Sequence, residues 1–481
     1  MTLSEDELKE FAKFLRSPFF NKGRNFTPYF NILKRFYSKF DQKNLTKEYI
    51  FRKLRPGRNY DIRKAGSILS TLSSQLTGIL EDYLVYKALE KKKIEKQFLV
   101  NDQLYFRGLF EQVEKNMHRI KTEVEKRGVD ESYFRYHYII YSKLTNSSLR
   151  LNKMKNYCEF VYKRSNYNFL HFFQDFFQMI AGFELFKEEF NFEPENSFYS
   201  ILKNNLDLKK IFDEIESFNS YAGILQTYYL HMNSYNNFGD MNLYNRFKDS
   251  VYQNYEKFSY EEKFNFLTNL KAFLGISEKK VKLNLKKEKY KILNKMMKEN
   301  MYGHTQGSKI YHSTFVNIVL MLLDQKKISE AEEFIKQFSV KLEEQVRENV
   351  LNEAYAWLNF HKKNFKESLK YVIKINDEMF NLKYRSRLLE IMCLYELKEY
   401  DQLEYSIKAA QKYLNENKSV SKAFHDRLYE FTGILQQLAV HEPDGEKGFM
   451  PDKILNSIKE NQFLFMKEWV LQKLNEKRTL T

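Results

Sequence analysis

Ile328-Ser329-Glu330-Ala331, Phe365-Lys366-Glu367-Ser368 and Tyr400-Asp401-Gln402-Leu403 each follow one apolar, helix-like stretch and open another. The separations are 37 residues (328 to 365) and 35 residues (365 to 400), the period of stacked helix–turn–helix units. Leu320, Trp357 and Met392 occupy matching places on the first helix of three successive pairs, and Ile335, Val372 and Ile407 match on the second. Such units bury their apolar faces against one another and present extended surfaces to partners. A further helix follows, with Phe424, Leu428, Phe431, Leu435 and Leu438 on one apolar face.

Composition extends the helical reading to the rest of the chain. The 481 residues include 43 Phe and 34 Tyr, so apolar material for a core is ample. Only 6 Pro and 15 Gly occur, and no Pro lies between 57 and 193 or between 195 and 442. Long stretches without helix breakers argue for α-helix, and Val–Thr-rich alternating runs are nearly absent. The formal charge of +16 could attract an acidic partner, but Lys and Glu are interleaved along the chain, and net charge speaks to solubility rather than fold. Cys158 and Cys393 are far apart, so neither a disulfide framework nor a zinc site is expected. The acidic, amphipathic start is unlike a secretory signal, and the most apolar stretch, 315–323, is too short to span a bilayer. These features together predict a soluble, cytoplasmic protein.

The first ninety residues read as a separate helical module (1–90). Ser4 and Glu7 form a capping box ahead of Leu8, Phe11 and Leu15, and Ser17-Pro18 stops that helix. Thr27 and Pro28 open a second helix, as N-cap and first-turn proline, with Phe30, Leu33, Tyr37 and Phe40 on one side. A short third helix, about 47–54, ends at Arg55-Pro56-Gly57. Ile62, Ala65, Leu69, Leu72, Leu76, Ile79 and Tyr83 then step by 3 and 4, the seam of a long helix. Gly66, Ser67, Ser70, Ser73, Ser74 and Gly78 could admit a second helix closely. Residues 91–310 are aromatic-rich amphipathic helices with weaker repetition. Helix ends are expected near Gly128, 146–148, 191–196, 218–220, Gly239-Asp240, Gly275 and 303–307. Residues 311–440 carry the sharp repeats. In 441–481 a loop through Pro443, Gly445, Gly448 and Pro451 leads to a last helix through Ile454, Ile458, Phe465 and Trp469, placed to cap the stack.

Over about 310–440 the chain resembles tetratricopeptide-type repeats. The resemblance rests on Ala356-Trp357-Leu358 followed by Asn364-Phe365 and Ser368-Leu369, then on 391–394 followed by Glu399-Tyr400. Several small residues of that repeat are replaced here by Tyr, Glu or Asn. The segments 14–21 (PheLeuArgSerProPhePheAsn) and 54–61 (LeuArgProGlyArgAsnTyrAsp) resemble the opening of an uncharacterised bacterial protein family. The tetratricopeptide-like part implies binding of a peptide or protein surface in a concave groove.

Catalytic constellations are not evident. GxxxxGK[ST], GxGxxG, HExxH and GxSxG do not occur. Gly303-His304-Thr305-Gln306-Gly307 follows no strand and reads as a helix–helix loop, and His304 with His312 lacks a nearby carboxylate. Two basic clusters stand out. Arg52, Lys53, Arg55, Arg58, Arg63 and Lys64 gather at a helix–turn–helix, where arginines suit anions or nucleic acid. Their bland alternative is a solvated turn paired with Glu48 and Asp61. Lys279, Lys280, Lys282, Lys286, Lys287, Lys289 and Lys291 form a second run, either a nucleic-acid patch or a solvated connector.

The sequence therefore predicts an all-α, right-handed helical-repeat α-solenoid, TPR-like, preceded by a small N-terminal helical module. It is expected to be noncatalytic, without cofactor or metal, and to act as a scaffold or adaptor binding another protein. Tyr355, Asn359, Tyr384 and Arg387 are the candidate groove-facing groups. The alternative is nucleic-acid association through Arg52, Arg55, Arg58 and Arg63.

Overall fold

The computed structural model describes residues 3–21, 23–37, 45–190, 198–216, 221–280, 285–375, 380–416, 422–440, 455, 458 and 466–478. Among these the chain forms 22 α-helices, two short 3-10 turns (255–257 and 339–341) and no strand beyond two isolated bridges. It divides into two compact units, residues 1–124 with 143–158, and residues 125–142 with 159–481.

In the first unit, α1 (Glu5–Arg16) starts at the expected capping box: the Glu7 N–H donates to Ser4 Oγ at 3.2 Å and the Ser4 N–H to Glu7 Oε2 at 2.7 Å. Helix α2 (Thr27–Lys34) begins one residue earlier than its proline suggests. Phe26 is the N-cap, and the Thr27 N–H is satisfied by Asn25 Oδ1 at 3.0 Å. Helix α3 (Lys47–Leu54) is capped by the Thr46 side chain. Helix α4 (Ile62–Lys91) is capped by Asp61, whose carboxylate accepts from the Arg63 and Lys64 N–H groups. Ala65, Leu69, Leu72, Leu76 and Tyr83 of the expected seam are buried, and Leu80 joins them, whereas Ile62 is 72 % exposed. The seam closes one apolar core with Leu8, Phe11, Phe30 and Phe51. Phe11 meets Phe30 edge-on at 5.2 Å, a geometry favoured by the ring quadrupoles. On the small-residue side of α4, Ser67, Ser70, Ser73 and Ser74 are exposed, Ser73 Oγ meets the Tyr29 hydroxyl of α2 at 2.5 Å, and among the described residues a Cβ on Gly66 or Gly78 would meet nothing within 4 Å.

Helices α5 (Lys93–Phe106), α6 (Phe110–Arg127), α7 (Tyr133–Arg150) and α8 (Met154–Phe190) follow. The first unit takes in α5, most of α6, the end of α7 and the start of α8. Gly128, where α6 ends, is left-handed (φ +82°) as a C-cap glycine should be. The end expected near 146–148 falls at Arg150, two residues on. Ser147 and Ser148 are fully buried inside α7, and Ser148 Oγ donates to Glu114 Oε1 at 2.9 Å, so packing overrides the weak helix propensity of Asn and Ser.

The second unit continues with α9 (Phe198–Asn205), α10 (Leu208–Glu216), α11 (Ala222–Asn236), α12 (Met241–Gln253), α13 (Tyr260–Lys280) and α14 (Lys286–Lys298). Asp240 caps α12 as the Gly239-Asp240 signal predicts. Gly275 lies inside α13 instead of ending it, because Leu274 and Ile276 on either side are buried. The expected breaks at 191–196 and 218–220, and the loop at 441–452 with Ile454 and Phe465, lie outside the described residues.

The sharp repeats become three hairpins: α15 (His312–Asp324) with α16 (Ile328–Phe338), α17 (Glu344–His361) with α18 (Phe365–Ile373), and α19 (Phe380–Glu396) with α20 (Tyr400–Glu416). Lys326, Lys363 and Lys398 bend the chain at φ of +60°, +62° and +60°. In each turn the next N–H bonds the carbonyl five residues back, Lys327 to Leu322, Asn364 to Asn359 and Glu399 to Leu394, at 2.9–3.0 Å. This is the Schellman motif. The same residue then accepts the first bond of the second helix, from Ala331, Ser368 and Leu403. Gly108 and Asn152 close α5–α6 and α7–α8 by the same pattern, through Leu109 to Leu104 and Lys153 to Ser148. Helix α17 packs on α15, α18 and α19, and α20 packs on α21 (Lys422–Val440). Helix α22 (Lys467–Arg478) lies against the ends of the hairpins: Trp469 Nε1 donates to Glu396 Oε1 at 2.7 Å, and its ring approaches Tyr395, Phe360 and Phe431. No helix among the described residues is long and apolar enough to cross a membrane.

Candidate functional site

Aligning the hairpins by their turns exposes one discordant position. Val316, Glu353 and Leu388 are equivalent, and all three are buried, Glu353 with only 1 % of its surface exposed. A lone carboxylate there would cost several kcal/mol. Arg385, on the neighbouring first helix α19, answers it, with Nε 2.7 Å from Glu353 Oε1 and Nη2 donating to Oε2 at 3.3 Å. Burial still pushes the Glu353 carboxyl up to about 7, opposed by Arg385. His312, at the start of α15, feels the same guanidinium; burial first and Arg385 second hold its pKa below the ordinary value. On the same stretch of α17 the Asn352 Nδ2 and Trp357 Nε1 are buried, with no hydrogen-bond partner among the described residues. Buried polar atoms are ordinarily satisfied, so this face of α17 carries unmet donors beside its ion pair.

The groove candidates sit around that face. Tyr355 is half-buried and stacks on Tyr371 of α18 with centroids 5.4 Å apart. Asn359 turns its amide back onto the Tyr355 carbonyl at 2.8 Å. The Arg387 guanidinium lies 5.3 Å from the Tyr413 ring of α20. Tyr355 and Arg387 thus each lean on the second helix of their own pair, which leaves them half-exposed. Tyr384 belongs to α19, but its side chain lies outside the described residues. Deeper in the repeat, Ser368 Oγ donates to the Ala356 carbonyl at 2.8 Å and receives the Cys393 thiol at 3.2 Å. Burial raises that thiol to about 12, which makes it a packing residue and not a nucleophile.

Further polar groups cluster in the core between α8, α11 and α13. Gln174 Nε2 donates to Tyr228 Oη at 2.7 Å and to the Asp130 carbonyl at 3.1 Å. Tyr228 and Asn265 hydrogen-bond the Glu262 carboxylate, Gln178 reaches it at 3.3 Å, and burial lifts its pKa to about 7. His231 is walled in by Tyr235 and Phe247 at 4.5 and 5.0 Å, and burial drives its pKa down to about 3. The Tyr133 and Tyr167 hydroxyls both meet that of Tyr221, at 3.1 and 3.3 Å.

The 303–307 segment is a loop, as read. A Cβ on Gly303 would come within 2.3 Å of the Lys309 carbonyl, so only glycine fits that close approach. The loop and residues 340–341 enclose a cleft of about 400 Å³ with Tyr260, Glu299 and Lys341 in its wall. His304 and His312 have different surroundings, the former beside Phe264 and the latter beside Arg385.

Of the first basic cluster, Arg52 is held by Glu48 (2.6 Å), while Arg55 is half-buried and Arg58 and Arg63 are exposed. Asp61 is committed to the α4 backbone and does not pair with them. In the second cluster Lys286, Lys289 and Lys291 pair with Asp324, Glu278 and Glu288 at 2.9, 2.5 and 3.1 Å. Lys287 is exposed, and Lys282 and the side chains of Lys279 and Lys280 lie outside the described residues. Among the described residues no group of three His, Cys, Asp or Glu side chains could hold a metal ion. No protein-family model, curated protein or solved structure matches this chain.

Proposed function

We propose that the protein is a noncatalytic scaffold or adaptor that binds another protein on the first helices of a TPR-like α-solenoid spanning α15–α20. The observation that carries this reading is the threefold recurrence of one hairpin, with the same left-handed lysine turn at intervals of 37 residues (326 to 363) and 35 residues (363 to 398). Hairpins joined this way present their first helices side by side as an extended surface. Half-exposed Tyr355 and Arg387 supply the aromatic and guanidinium anchors typical of protein interfaces. Arg52, drawn to Glu48, weakens the nucleic-acid alternative by dividing the N-terminal arginines.

The test is affinity purification of the tagged full chain, with and without nuclease, for the wild type and for Tyr355→Ala/Arg387→Glu. The expected result is a partner protein that survives nuclease and is lost in the variant, while the variant's thermal unfolding stays close to wild type. Recovery of partners only through nuclease-sensitive material would overturn the reading.

A further inference from the structure

Helix α3 ends at Leu54, and the chain reverses through Pro56 and Gly57, whose φ of +82° lies in the left-handed region that favours glycine. This reversal places Arg55 on a cleft of about 180 Å³ that Arg24 also lines. Phe51, Leu54, Ile68 and Leu72 supply its apolar wall, and Asn25, Pro28 and Tyr29 complete the lining. Neither rim arginine has a carboxylate partner among the described residues. Arg52 is taken by Glu48, and Asp61 caps α4.

Two such guanidinium groups beside an apolar wall define a ligand with a carboxylate next to an apolar body. The volume equals that of about six water molecules at ~30 Å³ each, room for one side chain and its carboxylate but not for a length of nucleic-acid backbone. In an extended peptide, adjacent side chains point to opposite faces. An internal acidic residue therefore would not enter the cleft together with an apolar neighbour. A C-terminal residue carries both groups on one Cα. We infer that this cleft binds the C-terminal residue of a partner polypeptide, with its free carboxylate between Arg24 and Arg55 and an aliphatic or phenylalanine side chain on the apolar wall. These residues are distinct from those of the hairpin surface, so this inference stands or falls independently of the scaffold reading.

The test is fluorescence anisotropy of labelled heptapeptides ending in Leu, Ile, Val or Phe against the full chain, each with a free or an amidated C-terminus. Free-acid peptides should bind tenfold or more tightly than their amides. Arg55→Ala and Arg24→Ala should each weaken binding at least fivefold, with Arg55→Lys intermediate. Ile68→Trp, which fills the cleft and keeps both arginines, should abolish binding and covers the case in which an arginine variant fails to fold. Equal affinity for acid and amide, or no binding of any peptide at millimolar concentration, overturns the proposal. So does displacement by 4-methylpentanoate at the peptide's own affinity, which marks a site for small free acids. A labelled single-stranded oligonucleotide that binds and is released by Arg55→Ala, with no peptide bound, assigns the turn to nucleic acid instead.

Discussion

The N-terminal core and the hairpin repeats are both all-helical, yet they treat charge in opposite ways. The core from Leu3 to Tyr83 is apolar throughout, and Arg24 and Arg55 at its cleft have no carboxylate partner among the described residues. The repeats draw charge inward. Glu353 replaces an aliphatic residue, Arg385 follows it, and Asn352 and Trp357 keep buried donors without partners among the described residues. An apolar core tolerates approximate packing, whereas a buried ion pair works only with both members present. The N-terminal module is thus held by shape and the repeats partly by pairing.

The sharpest way to break this contrast is to remove one packing group and one charge. Phe11→Ala should cost about 3–5 kcal/mol through the cavity it leaves, read as a lower urea midpoint and faster amide exchange in residues 5–91. Above pH 7, where Glu353 ionises, Arg385→Ala should cost a similar ~3–5 kcal/mol by stranding its carboxylate, and less at lower pH, where the carboxyl is neutral. Glu353→Leu/Arg385→Leu should instead be neutral or stabilising. If the single variant melts like the double one, the pairing account of the repeats is wrong.

A smaller effect per group, on the order of 2–3 kcal/mol each, should appear with pH. Burial raises Glu262 and Glu353 in the folded state to about 7, above their unfolded value. The stability linked to them is present below the unfolded pKa and is lost as pH rises through about 7. Chemical denaturation from pH 4.5 to 8 should show that decline, and Glu262→Gln should flatten its share of it. His231 has the opposite sign. Its folded pKa is depressed to about 3, so its contribution falls as pH drops below the unfolded value near 6.5, and His231→Phe should flatten the acid limb.

Next in size, Lys363→Gly should stabilise by about 0.5–1 kcal/mol, because glycine adopts the left-handed turn without a Cβ penalty. A drop in melting temperature would mean that the lysine side chain contributes more than its backbone costs. At the small end, Arg55→Ala should change stability by no more than about 0.5 kcal/mol. A larger loss would show that this arginine supports the N-terminal core.

Local signals in the sequence specify much of the fold. The capping box at Ser4 and Glu7, the bounds of α3, and the intervals between the hairpins follow from spacing and turn chemistry alone. The two-residue extension of α7 past Ser148 and the continuation of α13 through Gly275 share one cause. Burial of Ser147, Ser148, Leu274 and Ile276 holds the helix where intrinsic preference is weak, and burial is a tertiary property. Glu353 was legible once the repeats were in register, as a carboxylate in a Val–Leu column. Arg24 was not, because 31 residues separate it from Arg55 (24 to 55) and no periodicity links the loop before α2 to the turn after α3. The meeting of Tyr133, Tyr167 and Tyr221 is equally silent in the sequence, with separations of 88 and 54 residues.

Helix α22 has a consequence for synthesis. Trp469 and Lys473 reach Glu396 across 73 and 77 residues of chain. At ~5–20 residues per second, the ribosome needs several seconds to deliver them after Glu396 has emerged. Throughout that interval the aromatic ends of α17 and α19, with Phe360 and Tyr395, lack the lid that later shields them. A nascent chain paused there exposes a sticky edge that the finished chain does not, and this makes the interval the point at which a chaperone would have its best access.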